Sequence, residues 1–313
     1  RLTYGSPFSA AHPFSQADKA WIAEVEKRSA GRLRIDAWWG GSVISSDNNV
    51  TELRHGLTDI AVVSPIYAHA GMTVIKAQSG FYGAARNVSQ QLQAYHCAAR
   101  KFPVYGEEMH GMKVLAVVGG ALIHIVTRER PLRSLDDLAG LRLRAPSELL
   151  PVLRPLGVDV LTMPMTEVYS ALSKGMIDGV VTPPDTLRTL HFGEVARHFS
   201  DIEIARGAYP GRAIRIASWQ RLPVELQQVL LDLQPFWEDA IRQRIEQAQE
   251  EGLRAGRRDG LSFEPFTDAE QVRFDALYDA SAARTARELD ARGLPGSAIL
   301  QTLTTAARTG SCP

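Results

Sequence analysis

The chain has 313 residues, and its 35 Lys+Arg are balanced by 35 Asp+Glu for a formal net charge of zero. That length allows two domains, or one large one, with enough apolar material for real cores. The balance creates no global field for nucleic acid or an anionic membrane, and no apolar run reaches the roughly 18 to 20 residues that span a bilayer. No basic-then-apolar leader stands before Arg1, so for an exported protein the expectation is a signal peptide removed or omitted.

Phe14, Trp21, Ile22 and Val25 fall at helical spacing, with Ser15 and Asp18 resembling a capping pair near the helix start. AGRLRIDAWWGGS (30 to 42) reads as a Gly-led turn into an alternating strand, and ELRHGLTDIAVVSP (52 to 65) as a helix, a Gly stop and a β-branched strand. Cys97 and Cys312 are the only cysteines; a disulfide and two free thiols are both compatible with them. RPLRSLDDLAGLRLRAP (130 to 146) ends a short alternating run at Arg144, and LGVDVLTMPMTEVYSALSKGMIDGVVTPP (156 to 184) predicts strand, amphipathic helix, Gly175 stop and a second strand ending at Thr182. From Pro223 to about Arg258 a long polar-apolar pattern holds Pro235, which bends or splits a helix. A strand-like LSFEPF (261 to 266) follows, then a helix from Thr267 to about Arg292.

Two phrases occur twice. AGRLRIDAWWGGS is echoed by AGLRLRAPS (139 to 147), and ELRHGLTDIAVVSP by ALSKGMIDGVVTPP (171 to 184). In the second pair a helix ends at Gly56 or Gly175, Asp59 or Asp178 follows three residues later, and the strand runs into Ser64-Pro65 or Thr182-Pro183. Such joints recur in any α/β protein, but two matches in the same order point to α/β architecture built twice. Parallel sheets hold ligands beyond the carboxyl ends of their strands, which directs attention to Arg144, Ser64 and Thr182.

At these residues the sequence resembles the DctP-type solute-binding proteins of tripartite ATP-independent periplasmic (TRAP) transporters. The resemblance runs over nearly the whole chain, and MPMTEVYSALSKGMIDG is its most specific part. It implies a type II periplasmic-binding-protein fold: two α/β lobes with crossing connections and a long helix bracing both. The expected lobes are 1–121 plus 210–250 and 122–209 plus 251–313, with a ligand cleft between them. It also implies a periplasmic location, no cofactor or metal, and as partners a small organic acid and the membrane permease subunits of a TRAP transporter. Neither nucleic acid binding nor direct insertion into the membrane is implied.

In the phrase matching LRLRAP the family arginine typically grips the solute's carboxylate with a two-pronged salt bridge, which maps to Arg144. A planar guanidinium fork suits that task, although a surface ion pair is the plain alternative. His124 falls where sialic-acid-binding relatives carry a second arginine. That departure suggests a different head group or pH-sensitive binding, with a core histidine as the competing reading. Thr182 stands where many relatives have asparagine, and Met165 where an aromatic often lies on the ligand. Phe8, Trp39, Ser64, Tyr67 and Tyr209 are further candidates on loop position alone. One arginine with aromatic walls favours a compact or aromatic monocarboxylate over a polyhydroxylated sugar acid.

An enzyme is disfavoured. The sequence has no G-x-G-x-x-G, P-loop, G-x-S-x-G elbow or H-E-x-x-H helix, and its eight histidines are scattered. A ligand-sensing module for signalling is the stronger alternative to a free carrier.

Overall fold

The computed structural model describes residues 1–313. Along the chain its principal elements are β1 (Leu2–Gly5), α1 (Pro13–Arg28), β2 (Ile35–Trp38), α2 (Asn49–His55), β3 (Ile60–Val62), α3 (Val88–Lys101), β4 (Met112–Val118), β5 (Ile123–Thr127), β6 (Arg142–Arg144), β7 (Asp159–Leu161) and α4 (Met165–Ser173). They continue with β8 (Gly179–Thr182), β9 (His198–Ile204), β10 (Tyr209–Arg215), α5 (Val224–Asp232), α6 (Gln234–Arg258), β11 (Ser262–Glu264), α7 (Asp268–Ala291) and α8 (Gly296–Thr309). No helix is long and apolar enough to cross a membrane.

The chain forms two α/β units. The first comprises Arg1–Lys76, Ala99–Gly119 and Ala208–Ile245; the second comprises Ala77–Ala98, Gly120–Gly207 and Glu246–Pro313. Apart from boundary shifts of two to five residues, the difference from the lobes expected from sequence is that residues 77–98 belong to the second unit. Side-chain links explain this. Gln91 brackets the backbone of Gly120, donating to its carbonyl at 2.9 Å and accepting from its N–H at 2.8 Å. Cys97 is disulfide-bonded to Cys312, beyond the end of α8. The long helix α6 contributes residues to both units.

Each unit is built on one sheet, and the two sheets share a topology. The first has the order β2-β1-β3-β10-β4; read in the matching direction, the second is β7-β6-β8-β5-β9-β11. In each, the first three strands are parallel and the next is antiparallel to both of its neighbours. A strand from late in the chain, β10, takes in the first sheet the place that β5 takes in the second.

The Gly-x-x-Asp phrase does the same job in both sheets. Gly56 (φ 84°) and Gly175 (φ 67°) end their helices in the left-handed region open to glycine. Asp59 Oδ2 then accepts the backbone N–H of Thr3 on β1 at 2.8 Å, and Asp178 Oδ2 accepts that of Arg142 on β6 at 2.8 Å. The carbonyls of the same two residues accept from Arg215 and Arg128, at 2.8 and 2.9 Å. Each phrase therefore ties its own strand to both neighbours. The other echo does not hold in space. By sheet position β6 corresponds to β1, while β2 corresponds to the edge strand β7. The Gly-led turn is a local signal, whereas strand order is decided by which strand pairs beside the Asp-bearing one.

Two other expectations are corrected or sharpened. Helix α1 is not capped by Ser15 and Asp18, both of which are buried within it; Pro13 opens the helix and the N-cap is His12, whose Nδ1 accepts the Phe14 N–H at 3.2 Å. The pattern from Pro223 to Arg258 is two helices, with Pro235 in the first turn of the second, where a missing N–H costs nothing. In the second unit apolar side chains fill both sheet faces: Leu143, Ile125 and Val181 lie with Phe274 and Tyr278 of α7, and Val126, Val180 and Phe199 with Val168 and Leu172 of α4. Continuous burial of this kind explains why β8 reads as an unbroken apolar run.

Candidate functional site

Three of the expected residues come together on the second unit's sheet. Arg144 ends β6 and pairs with Val180 of β8; two residues on, Thr182 ends β8 and pairs with His124 of β5. Because facing residues of adjacent strands project to the same side, Arg144, Thr182 and His124 share one face, the face that carries Val126 and Val180. Met165 opens α4 and is half-buried against that cluster.

Arg144 is only 4% exposed, and its Nε donates to the Met163 carbonyl at 3.0 Å. That bond anchors the guanidinium from one side and fixes its direction. Thr182 is fully buried; its hydroxyl is 2.8 Å from that of Thr186, which donates on to the Pro183 carbonyl at 2.8 Å. His124 lies with its ring centroid 4.8 Å from that of Phe199. Burial lowers its pKa to about 4, with a hydrogen bond to the Ile202 backbone acting the other way. The ring is therefore neutral near pH 7, and its Nδ1 is buried without a hydrogen-bond partner, 3.9 Å from Asp201 Oδ1.

The remaining candidates belong to the first unit. Phe8 is half-buried and stacks on His12 with centroids 4.4 Å apart, while Phe14 meets it edge-on at 5.3 Å. Trp39 rests on Tyr4 at 5.5 Å beneath the Lys19 ammonium, whereas its neighbour Trp38 is 50% exposed, so the pair divides between the two strand faces as alternation requires. The Ser64 N–H donates to Asn49 Oδ1 at 2.7 Å, and Ser64 leads into the short turn Pro65–Tyr67 that carries Tyr67, half-buried. Tyr209 opens β10 and is half-buried.

Sequence reasoning missed a buried ion pair close to Phe14. Arg212 of β10 is 1% exposed; its Nε donates to Asp18 Oδ1 at 2.9 Å and its Nη2 to Oδ2 at 3.2 Å. Asp18 also accepts from Tyr4 Oη at 2.5 Å and Trp237 Nε1 at 2.8 Å, so its lone pairs are well used. Burial opposes the Arg212 charge, but Asp18, with Tyr4 and Tyr209, holds its pKa above the ordinary arginine value. The same cation, after burial, helps lower His12 to about 4. The signal was present: Asp18 lies on the apolar stripe of α1, three residues before Trp21, and Arg212 stands between Gly211 and the apolar pair Ala213-Ile214.

The family model for bacterial extracellular solute-binding protein family 7, DctP, matches residues 4–288. The chain belongs to that family. A solute-binding protein of Albidiferax ferrireducens is 28% identical over 56% of this chain, and one of Verminephrobacter eiseniae is 23% identical over 76%. The matches span 52% and 71% of those relatives' own lengths. Among solved structures, a TRAP periplasmic solute-binding protein of Bordetella bronchiseptica with bound mandelate superposes with a TM-score of 0.88 at 18% identity, covering 99% of each chain. A TRAP solute-binding protein of Rhodoferax ferrireducens holding copurified benzoate also gives 0.88, at 20% identity, over 98% of this chain and 97% of that one. A Sulfitobacter relative with bound β-D-galacturonate gives 0.83 at 16% identity, over 98% and 100%. These likenesses establish the two-lobed TRAP solute-binding fold.

Proposed function

We propose that this protein captures a small organic acid outside the cytoplasm and delivers it to the permease subunits of a TRAP-type secondary transporter. The observation that carries the reading is the buried Arg144 guanidinium at the carboxyl end of β6, on the same sheet face as Thr182 and His124. A guanidinium held at a strand end and shielded from water offers a planar fork that matches the two oxygens of a carboxylate, and such pairs are short and strong. Family membership supports the role, and it supports a periplasmic location.

The preferred solute is a compact or aromatic monocarboxylate. Where a second arginine stands in sialic-acid-binding relatives, His124 is neutral, so it adds no charge for a second anionic group. Binding of the acid favours the conformation in which its charged pair is completed, since a ligand shifts an equilibrium only by its differential affinity for the two states. The solute leaves unchanged; no turnover accompanies binding.

A thermal-shift screen of small acids tests this reading. A true ligand at 100 times its Kd raises stability by about 2.7 kcal/mol. Arg144→Ala then removes about 2–5 kcal/mol of binding free energy, measured by titration calorimetry on the hit acid. Equal binding by Arg144→Ala and the wild type, or recovery of a chemically altered acid, refutes it.

A further inference from the structure

Arg206 is the residue that the reading above leaves unexplained. It lies two residues beyond the carboxyl end of β9 (His198–Ile204), and β9 runs parallel to β8 and β6 because both β9 and β8 are antiparallel to β5. The carboxyl ends of β6, β8 and β9 thus lie along one edge of the second unit's sheet, where Arg144, Thr182 and Arg206 follow one another. Parallel α/β sheets bind small molecules beyond such an edge.

The guanidinium does not extend freely from β9. A Cβ on Gly120 would come within 2.7 Å of Arg206 Cδ and 2.8 Å of its Nη1, so the side chain lies flat across Gly120, just before β5. Gly120 is itself held by the Gln91 amide at both its N–H and its carbonyl. From β6 to β9 is three strand spacings, about 14 Å. By folding back over Gly120, the Arg206 cation moves one strand nearer Arg144.

Arg206 is half-buried and donates no hydrogen bond to, and makes no ion pair with, any protein group. Two carboxyls nonetheless feel its charge. Glu148 and Asp185 are both raised by burial, Asp185 to about 6, and Arg206 acts against that rise in each; Arg144 also acts on Glu148. Both arginines are therefore in electrostatic reach of one carboxyl. A half-buried guanidinium with no protein acceptor is free to donate to a bound solute in place of water.

We propose that Arg206 is a specificity-determining ligand contact, which donates to a neutral oxygen placed distally on the acid whose carboxylate sits at Arg144. The favoured solutes are then monoanions carrying a distal hydroxyl or keto group. A second full negative charge at Arg206 would meet Glu148 and Asp185, whereas a neutral oxygen accepts the same hydrogen bonds without that repulsion. This rests on the carboxylate reading of Arg144 and narrows it.

Titration calorimetry on matched pairs tests it: benzoate with 4-hydroxybenzoate, phenylacetate with 4-hydroxyphenylacetate, and butyrate with 4-hydroxybutyrate. In the wild type at least one hydroxylated member binds about tenfold more tightly than its parent. Arg206→Met brings that ratio to about one. Gly120→Ala, which displaces the guanidinium without removing it, also shrinks the ratio, so the outcome does not hang on one variant's folding. A ratio unchanged in Arg206→Met, or no preference in any pair in the wild type, overturns the proposal. Arg144→Ala distinguishes its failure from that of the carboxylate reading: if Arg144→Ala loses both members of a pair while Arg206→Met keeps the preference, only the Arg206 assignment falls. If no acid of the series binds the wild type, both fall.

Discussion

Gly5 and Arg144 occupy the same position in two equivalent strands. Gly5 pairs with Ala61, two residues after Asp59, and Arg144 pairs with Val180, two residues after Asp178. One copy of the architecture carries a guanidinium at this register and the other carries no side chain at all. The space around them explains the difference, since a Cβ on Gly5 would lie 2.3 Å from Ile44 Cγ1 and 3.1 Å from Thr58 Cγ2, with Ile44 fully buried. The duplicated framework is thus specialised at the position that carries Arg144 in the second unit.

Gly5→Ala follows directly. Overpacking against Ile44 destabilises the fold by about 1–3 kcal/mol. Urea denaturation measures it, and a variant as stable as the wild type would show that the Ile44 side chain moves aside freely.

Asp18→Asn removes the partner of a buried cation. Leaving Arg212 uncompensated costs about 3–5 kcal/mol, and adding Arg212→Met in that background recovers part of the loss because the stranded charge is gone. Chemical denaturation of the single and double variants checks the order; a double variant less stable than the single one contradicts it.

The buried His124 makes stability depend on pH. Its pKa is about 4 in the folded chain against an ordinary 6.5, so between those values the unfolded chain holds a proton that the folded chain does not. Stability contributed by this residue is therefore complete above 6.5 and falls as pH drops toward 4, by about 1.4 kcal/mol per pH unit. His124→Phe removes that slope, while the opposite contribution of Asp185, raised to about 6, is common to both proteins and cancels in the comparison. Denaturation curves at several pH values from 4.5 to 6.5 provide the test, and parallel dependence in the two proteins would contradict it.

The Cys97–Cys312 bond closes a loop with a sequence separation of 215 residues. Its loss costs about 2–4 kcal/mol, mostly by releasing the unfolded chain. Thermal melts with and without dithiothreitol, beside a Cys97→Ser, Cys312→Ser variant, should show the reduced wild type and the variant melting together below the oxidised protein. Coincident melts of oxidised and reduced protein would show that the cross-link contributes nothing.

Much of this was legible locally. The Gly-x-x-Asp phrase specifies a helix stop, a backbone acceptor and a buried strand within one stretch, so Gly56–Asp59 and Gly175–Asp178 marked the duplication correctly. The helix start at Thr267 and the break near Pro235 were equally local. The failures were of another kind. The turn of GRLRIDAWW resembles that of GLRLRAP because both have a glycine before an alternating strand, yet nothing in either says which strand pairs beside β3 or β8. Ser15 and Asp18 looked like caps because an acid near a helix start usually is one, and the side chain that claims Asp18 lies 194 residues away.

By itself the sequence determined the α/β class, the repeated unit, the elements around Arg144 and the family likeness, because each follows from periodicity, turn chemistry or contiguous motif. Only the tertiary structure decided that Arg144, Thr182 and His124 share a face, that His124 is buried and neutral, that Arg212 belongs to Asp18, and that Arg206 lies across Gly120 with its donors unspent. Those relations join residues from different strands, and the field and solvent exposure at a side chain are properties of what surrounds it in space, which no local run of residues encodes.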